Sequence, residues 1–309
     1  FIGLAIAFLT TRFSAETLRR STAWTLLPLV ILAVGVIAAV AFMNTPQSAL
    51  LVIQGKIPGV GFAVFMAVAF AVVALVVWVV AMVGRLSDGA RKAFATVVAV
   101  LAVVYSVAIG VAYMMSDVPL WASVIVPLGF AGFSLASGVP LGMLVLAASR
   151  ALPEARETRF GTAALVTALV GAVVSIFAVT VQLMNAQATV AAIFPGADAL
   201  PGAWVYLIVS IAGFVVALAC MRGALSGPLS GRSAAPLGST AGAAAMPWNS
   251  VDRQAASPAA GNVVPDLEAR YRRQAATDAT KAVPTWSWGN VAVLAALVAA
   301  RVLFYAMQF

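Results

Sequence analysis

The stretch that decides the fold runs from Ile57 to Gly84 and reads IPGVGFAVFMAVAFAVVALVVWVVAMVG. It contains no Lys, Arg, Asp or Glu. About 20 apolar residues in a helix are enough to cross the roughly 30 Å hydrocarbon core of a bilayer. The stretch also lacks the alternation of apolar and polar residues that is typical of strands in membrane barrels. It therefore predicts a transmembrane helix.

Six further stretches are equally free of charge, which predicts a polytopic all-α membrane protein. They are residues 21–55, 93–116, 118–149, 160–197, 199–221 and 282–300. An eighth, truncated helix is expected at the start, because the uncharged residues 1–10 span only roughly 15 Å as a helix. The eight transmembrane helices are predicted near residues 1–10, 23–43, 60–84, 93–115, 120–148, 159–185, 203–223 and 288–308.

The sequence is predicted to divide into three parts. Residues 1–222 hold helices one to seven, residues 223–287 form a cytoplasmic loop rich in Ala, Gly, Ser and Pro, and residues 288–309 hold helix eight. The loop composition cannot bury enough apolar surface to fold alone. A short helix is expected within it at residues 265–274, and Trp286 and Trp288 follow where an aromatic belt is expected.

Basic residues are concentrated in alternate connections between the predicted helices. Of the 18 Lys and Arg residues, only Lys56 and Arg301 fall elsewhere. Because cytoplasmic loops carry an excess of Lys and Arg, these connections are predicted to face the cytoplasm and both termini to face outward. The net charge of +8 is thus a topology signal, and without a soluble basic domain no nucleic-acid partner is expected.

The composition also excludes several kinds of site. The chain has no histidine and a single cysteine, Cys220. Histidine-ligated haem or metal, histidine acid–base catalysis, an internal disulfide and a chain-borne iron–sulfur cluster are therefore excluded. Cys220 lies in an apolar segment, where it is interpreted as a small buried side chain.

The fifth predicted helix combines small residues with two prolines. Its small residues at 129, 132, 134, 137, 138 and 142 predict close helix packing, and Gly138 and Gly142 have the small-xxx-small spacing. Two proline kinks are expected. In the last helix Arg301 is a functional candidate that shares a face with Tyr305, although snorkelling from near the helix end is the alternative.

Together these segments resemble the DmsC-like membrane anchor subunits of dimethyl sulfoxide reductases, which belong to the complex iron–sulfur molybdoenzymes. The resemblance rests on the order and spacing of residues 9–20, Asp117-Val-Pro-Leu-Trp121, Pro127-Leu-Gly-Phe130, Gly138-Val-Pro-Leu-Gly142 and Arg301-Val-Leu-Phe-Tyr305. It implies eight helices in the cytoplasmic membrane of a bacterium or archaeon. It also implies a heterotrimer, in which a molybdenum-cofactor catalytic subunit and an iron–sulfur subunit dock on an anchor that exchanges electrons with menaquinol or another quinone.

The chain departs from this family at two positions of the quinol site. The family uses a histidine after the second helix and a glutamate in the third, whereas this chain has FMNTPQ at residues 42–47 and an apolar run around Met66. The proton acceptor for quinol oxidation would then be water, Asp117 or a group on the iron–sulfur partner, or the site is lost.

A quinone site beside an external iron–sulfur cluster requires an apolar slot with a few polar groups. The candidate quinone-binding residues near the outer side are Asn44, Gln47, Gln54, Gln182, Asn185, Arg301 and Tyr305. Ordinary interfacial polarity is the alternative for each of them. Partner docking is predicted at Lys56, Asp117 and Trp121.

Three functions remain open. The favoured hypothesis is a non-catalytic anchor that passes electrons between quinone and an iron–sulfur partner and holds no cofactor by ligation, with membrane lipids around it. The second is a purely structural anchor without a working quinol site. The third is a small-molecule transporter, which is disfavoured because the middle of the membrane region is nearly free of ionisable groups.

Overall fold

The computed structural model describes residues 1–41, 58–84, 86–115, 121–156, 158–193, 202–226 and 289–304. Helix accounts for 91% of these residues, and none of them lies in a strand. Ten helices lie within the described ranges: α1 Ile2–Thr10, α2 Ala15–Trp24, α3 Leu26–Ala41, α4 Pro58–Val83, α5 Asp88–Met114, α6 Ile125–Ala148, α7 Leu152–Arg156, α8 Phe160–Ile193, α9 Ala203–Ser226 and α10 Gly289–Phe304.

Five of these helices, α4, α5, α6, α8 and α9, are long and apolar enough to cross a membrane. The all-α class is confirmed, and each of the eight predicted positions holds a helix. Within the described residues α1, α3 and α10 are shorter than the five, so eight crossings stay a prediction. The chain divides into two units, residues 1–225 with 288–309 and residues 226–287. The short helix predicted at 265–274, Trp286 and Trp288 lie outside the described residues.

Two boundaries differ from the prediction. No helix was predicted between residues 10 and 23, but most of this charged segment forms α2, and Ser14 caps that helix by accepting a hydrogen bond from the Thr17 N–H at 3.4 Å. Helix α8 was expected to end near residue 185 and continues to Ile193. The added residues contain neither Gly nor Pro, and Pro195 lies just beyond them, so nothing in the sequence stops the helix earlier.

Helix α6 forms the centre of the unit and contacts three other helices through positions that lack a side chain. A Cβ atom on Gly142 would lie 2.6 Å from the Cα of Gly3 in α1. One on Gly132 would lie 2.8 Å from the backbone nitrogen of Ser175 in α8. The predicted close approach through small residues is therefore confirmed on two faces of α6.

The contact between α5 and α6 is also close because of a glycine, but here the glycine lies on α5. A Cβ atom on Gly110 in α5 would lie 2.3 Å from the Cα of Pro127. Pro127 lies in the first turn of α6, where a missing N–H costs no helical hydrogen bond. Of the two prolines that were expected to kink the helix, only Pro140 lies in its interior.

Candidate functional site

Four aromatic rings from three helices meet where α5 ends and α6 begins. Trp121, which precedes α6, stacks on Phe304 of α10 with ring centroids 4.9 Å apart and an interplanar angle of 3°. Tyr113 of α5 meets Trp121 edge-on at 5.1 Å and stacks on Phe130 of α6 at 5.3 Å. Trp121, Phe130 and Phe304 are each at most 5% exposed. We refer to the end of the bundle that contains these four rings as the aromatic end.

Arg301 of α10 joins this cluster through its guanidinium group. Its Cζ lies 3.9 Å from the centroid of the Phe130 ring and 5.7 Å from that of Phe133. A cation over an aromatic face is stabilised by about 0.5–2 kcal/mol, with the larger values where water is excluded. The side chain therefore packs against α6 rather than extending away from the bundle by snorkelling.

Gln182 lies at the same end of the bundle. A Cβ atom on Gly129 of α6 would lie 3.1 Å from the Cβ of Ala178 in α8, and Gly132 meets Ser175, so the two helices run antiparallel. Gln182 is one turn beyond Ala178 and therefore lies level with the first turn of α6. Its side chain is buried, at 6% exposure. Asn185, three residues later, is exposed on α8.

An apolar cluster attaches α10 to α8 and α9 beside these residues. Leu183, Leu207, Ala300 and Leu303 are buried together with Phe133. Further along, the Ser210 hydroxyl lies 3.3 Å from the Ala296 carbonyl oxygen. This packing fixes the rotation of α10 and hence the direction of Arg301.

The structure thus brings two of the predicted site residues, Arg301 and Trp121, into one cluster and buries Gln182 at the same level. Trp121 was predicted to dock a partner; it is 5% exposed in the chain alone, and the docking role stays a prediction. Asn185 is exposed on α8 and does not join this cluster, and the remaining predicted residues lie outside the described ones: Asn44, Gln47, Gln54, Lys56, Asp117 and Tyr305.

Sequence reasoning missed Tyr113 and Phe133 as members of the site. Phe130 and Phe304 stood inside the quoted segments, but nothing in the sequence pairs them with each other or with Arg301. Tyr113 carries no local signal, because an aromatic residue near a helix end is ordinary in a membrane protein. Cys220, expected to be buried, is half-buried, and its Cβ faces Gly289 at the start of α10.

The opposite end of the bundle is polar and positively charged. It comprises the connections between α1 and α2, α4 and α5, and α6 and α8, and we call it the basic end. Gly161 of α8 faces the Leu225 side chain, so the end of α9 with Arg222 lies there too. Every described Lys and Arg except Arg301 belongs to this end, which is the arrangement expected from the loop charges.

Glu154 of α7 joins two of these connections. Its carboxylate accepts hydrogen bonds from the Ser14 N–H at 3.0 Å, from the Ser14 hydroxyl at 3.1 Å and from the Thr17 hydroxyl. Burial opposes ionisation, but the hydrogen bonds from Thr17 and Ser14 outweigh it, and the pKa of Glu154 lies below its usual value. The hydroxyls of Thr11 and Thr158 add a hydrogen bond of 2.9 Å nearby.

Comparison with known proteins identifies the family. One protein-family model, that of the DMSO reductase anchor subunit (DmsC), matches residues 1–225, which is more than half of the 309 residues and stops short of α10. No curated protein and no solved structure matches the chain. With its apolar helices around α6 and its match from α1 into α9, the chain belongs to the DMSO reductase anchor subunit family.

Proposed function

We propose that this anchor passes electrons between the quinone pool and an iron–sulfur partner subunit, within a heterotrimer that also contains a molybdopterin catalytic subunit. Membership of the anchor family supports association with catalytic DMSO reductase subunits. The exchange of electrons with quinone is the proposal, and its site is the aromatic end around Arg301.

The observation that carries this proposal is the position of the Arg301 guanidinium over Phe130, beside Trp121 and Phe304. A quinone is a flat apolar ring with two carbonyl oxygens. Aromatic side chains provide stacking surface for such a ring, and a guanidinium provides N–H donors for a carbonyl oxygen. This end combines several buried aromatic rings with a cation that lies over one of them.

The chemistry available to Arg301 is limited to binding and orientation. Its guanidinium stays protonated at all accessible pH values, so it stabilises negative charge but cannot accept the protons that quinol oxidation releases. That acceptor must be water, Asp117 or a group on the iron–sulfur subunit. The proposal therefore assigns the positioning of quinone to Arg301 and Gln182 and leaves proton transfer to groups at the membrane surface.

The proposed topology has eight crossings in the cytoplasmic membrane of a bacterium or archaeon. The segregation of the described basic residues to one end supports a cytoplasmic basic end under the positive-inside rule. Both termini and the aromatic end then face outward. The iron–sulfur subunit is accordingly proposed to dock on the outward side, near Asp117 and Lys56.

The test is the activity of the purified complex with two electron donors. A reduced quinol analogue reaches the catalytic subunit through the anchor, whereas a soluble reduced viologen dye reaches it directly. We expect Arg301→Gln to lower quinol-linked kcat/KM by about tenfold to a hundredfold, since a hydrogen bond to a charged group contributes roughly 1.5–3 kcal/mol. The dye-linked rate should stay unchanged.

The matched control is Arg222→Gln, which removes the same charge from an apolar helix at the basic end. It should leave both activities intact. Equal quinol-linked rates for wild type and Arg301→Gln would reject the site and favour a structural anchor. Purification without molybdenum or tungsten, iron and bound quinone would reject the anchor function itself and reopen the transporter hypothesis.

A further inference from the structure

An apolar groove opens at the basic end, between α1, the α2–α3 junction, α4 and α5. Its walls include Phe1, Leu4 and Phe8 of α1, Val77 and Trp78 of α4, and Phe94 of α5. The groove spans about 600 Å³ of space outside the protein atoms, and this figure includes space that is open to the surroundings. From Phe1 to Phe8 the groove follows α1 for roughly 10 Å, at 1.5 Å per residue.

The polar groups inside this groove already have partners in the chain. The Trp78 indole N–H donates to the Thr22 carbonyl oxygen at 3.1 Å. The hydroxyl of Thr22 donates to the Leu18 carbonyl at 2.8 Å, and that of Thr25 donates to the Thr22 carbonyl at 2.6 Å. A ligand that carries hydrogen-bonding groups into the groove would find no free donor on these three side chains. The interior therefore suits a hydrocarbon chain.

A second, polar pocket adjoins the groove at the level of the α1–α2 and α4–α5 connections. Its charged lining consists of Arg12, Asp88, Arg91 and Lys92, which is three cations and one carboxylate. Phe8 and Arg91 line both spaces, so the groove and the pocket lie next to each other and share a wall.

Arg91 is fixed at the boundary between the two spaces. Its Nη1 donates to the Asp88 carboxylate at 3.1 Å, and its Nη2 donates to the Leu86 carbonyl at 3.3 Å. The Asp88 side chain is 79% exposed and that of Arg91 only 25%. One carboxylate, largely in solvent, leaves the pocket with an excess of positive charge.

We propose that the groove and this pocket together bind one anionic phospholipid. An acyl chain lies in the groove along α1, and the phosphodiester lies between Arg12, Arg91 and Lys92. Charge complementarity selects an anionic headgroup, because basic pockets between transmembrane helices attract acidic lipids. A neutral quinone carries no charge to neutralise the three cations. Its carbonyl oxygens would also find no free donor on Thr22, Thr25 or Trp78 in the groove. The lipid would contact α1, α2 and α5 at the basic end.

The test is lipid binding to the delipidated complex in detergent, measured by native mass spectrometry. The probes are phosphatidylglycerol and phosphatidylcholine with identical acyl chains. We expect wild type to retain phosphatidylglycerol preferentially. The double variant Arg12→Gln/Lys92→Gln should lose roughly 30-fold of that preference, since each basic residue at a lipid surface contributes about a factor of five.

Two further variants test the binding of the headgroup and of the acyl chain separately. Arg19→Gln removes a charge from an exposed residue of the same end that lines neither space, and it should not change the preference. Ala81→Leu narrows the groove and should weaken both lipids equally. Equal retention of both lipids by wild type would overturn the proposal. The proposal would also be overturned by an equal loss of preference in Arg19→Gln, by displacement of phosphatidylglycerol by inorganic phosphate alone, or by occupation of the groove by quinone.

Discussion

At the aromatic end four rings and a guanidinium pack against one another, whereas at the basic end Glu154 joins Ser14 and Thr17 through hydrogen bonds. The aromatic end requires α10, which lies beyond the residues matched by the family, while the basic end is formed by residues inside the match. The residues of the basic end therefore all lie within the family match, whereas the proposed quinone site also requires Arg301 and Phe304 of the last helix.

Helix α6 connects the aromatic end with the basic end. A substitution at Gly142 should disturb the packing of this helix most strongly. Gly142→Ala would place a Cβ atom 2.6 Å from the Cα of Gly3, a backbone atom that cannot move by itself. We expect a loss of about 3 kcal/mol of stability, because overpacking in a dense contact has no local relief. Thermal unfolding of the detergent-solubilised complex measures the loss.

Gly35→Ala is the matched control. Gly35 lies in α3, is exposed and has nothing within 4 Å of the added Cβ atom, so alanine should be neutral or stabilise the helix by up to about 1 kcal/mol. Equal stability of both variants would show that α6 and α1 are less tightly packed than the structure indicates.

The aromatic end is tested by Phe130→Leu, which removes the ring beneath Arg301 and keeps an apolar side chain. Loss of the cation–π contact should release the guanidinium from its position and lower the quinol-linked rate about tenfold. The dye-linked rate of the same complex should not change. Phe177→Leu on α8 is the control, because Phe177 is 55% exposed and belongs to no described cluster. An equal loss of rate in both variants would contradict a specific role for Phe130.

The sequence predicts the helices well because apolar length is a local property. The charge-free stretches locate a helix at each of the eight positions, and the glycines of α6 predict its close contacts. The aromatic end could not be predicted, because Tyr113, Phe130 and Phe304 meet only after three separate helices pack. The same holds for Glu154, whose partners lie about 140 positions earlier in the chain. Pairings between remote positions depend on helix rotation, which one sequence does not specify.

The basic end is tested by pH. Because the pKa of Glu154 is lowered in the folded protein, its carboxylate stabilises the fold above its unfolded pKa of about 4.3, and this stabilisation is lost as the pH falls through the folded pKa. Glu154→Gln should therefore lower stability by about 1 kcal/mol at pH 7. In thermal unfolding, the difference from wild type should disappear as the pH falls through the lowered pKa of Glu154 in the folded protein. Glu16→Gln, which removes an exposed carboxylate paired only within α2, should have little effect at either pH. A difference that persists at low pH would indicate that Glu154 acts by packing.

The smallest expected effect is the loss of stability when Trp78, at the basic end, is replaced, compared with replacement of Trp121 at the aromatic end. Trp121 contributes ring contacts, whereas Trp78 contributes a hydrogen bond to the Thr22 carbonyl oxygen. In Trp78→Phe that oxygen keeps its hydrogen bond from the Thr25 hydroxyl, so no buried acceptor loses all its partners and the cost should stay below about 1 kcal/mol. Trp121→Phe loses stacking area against Phe304 and should cost about twice as much in thermal unfolding. If Trp78→Phe proved the more damaging, the hydrogen bond across the α2–α3 junction would contribute more to the fold than the stacked rings, and the basic end would be the more rigid of the two.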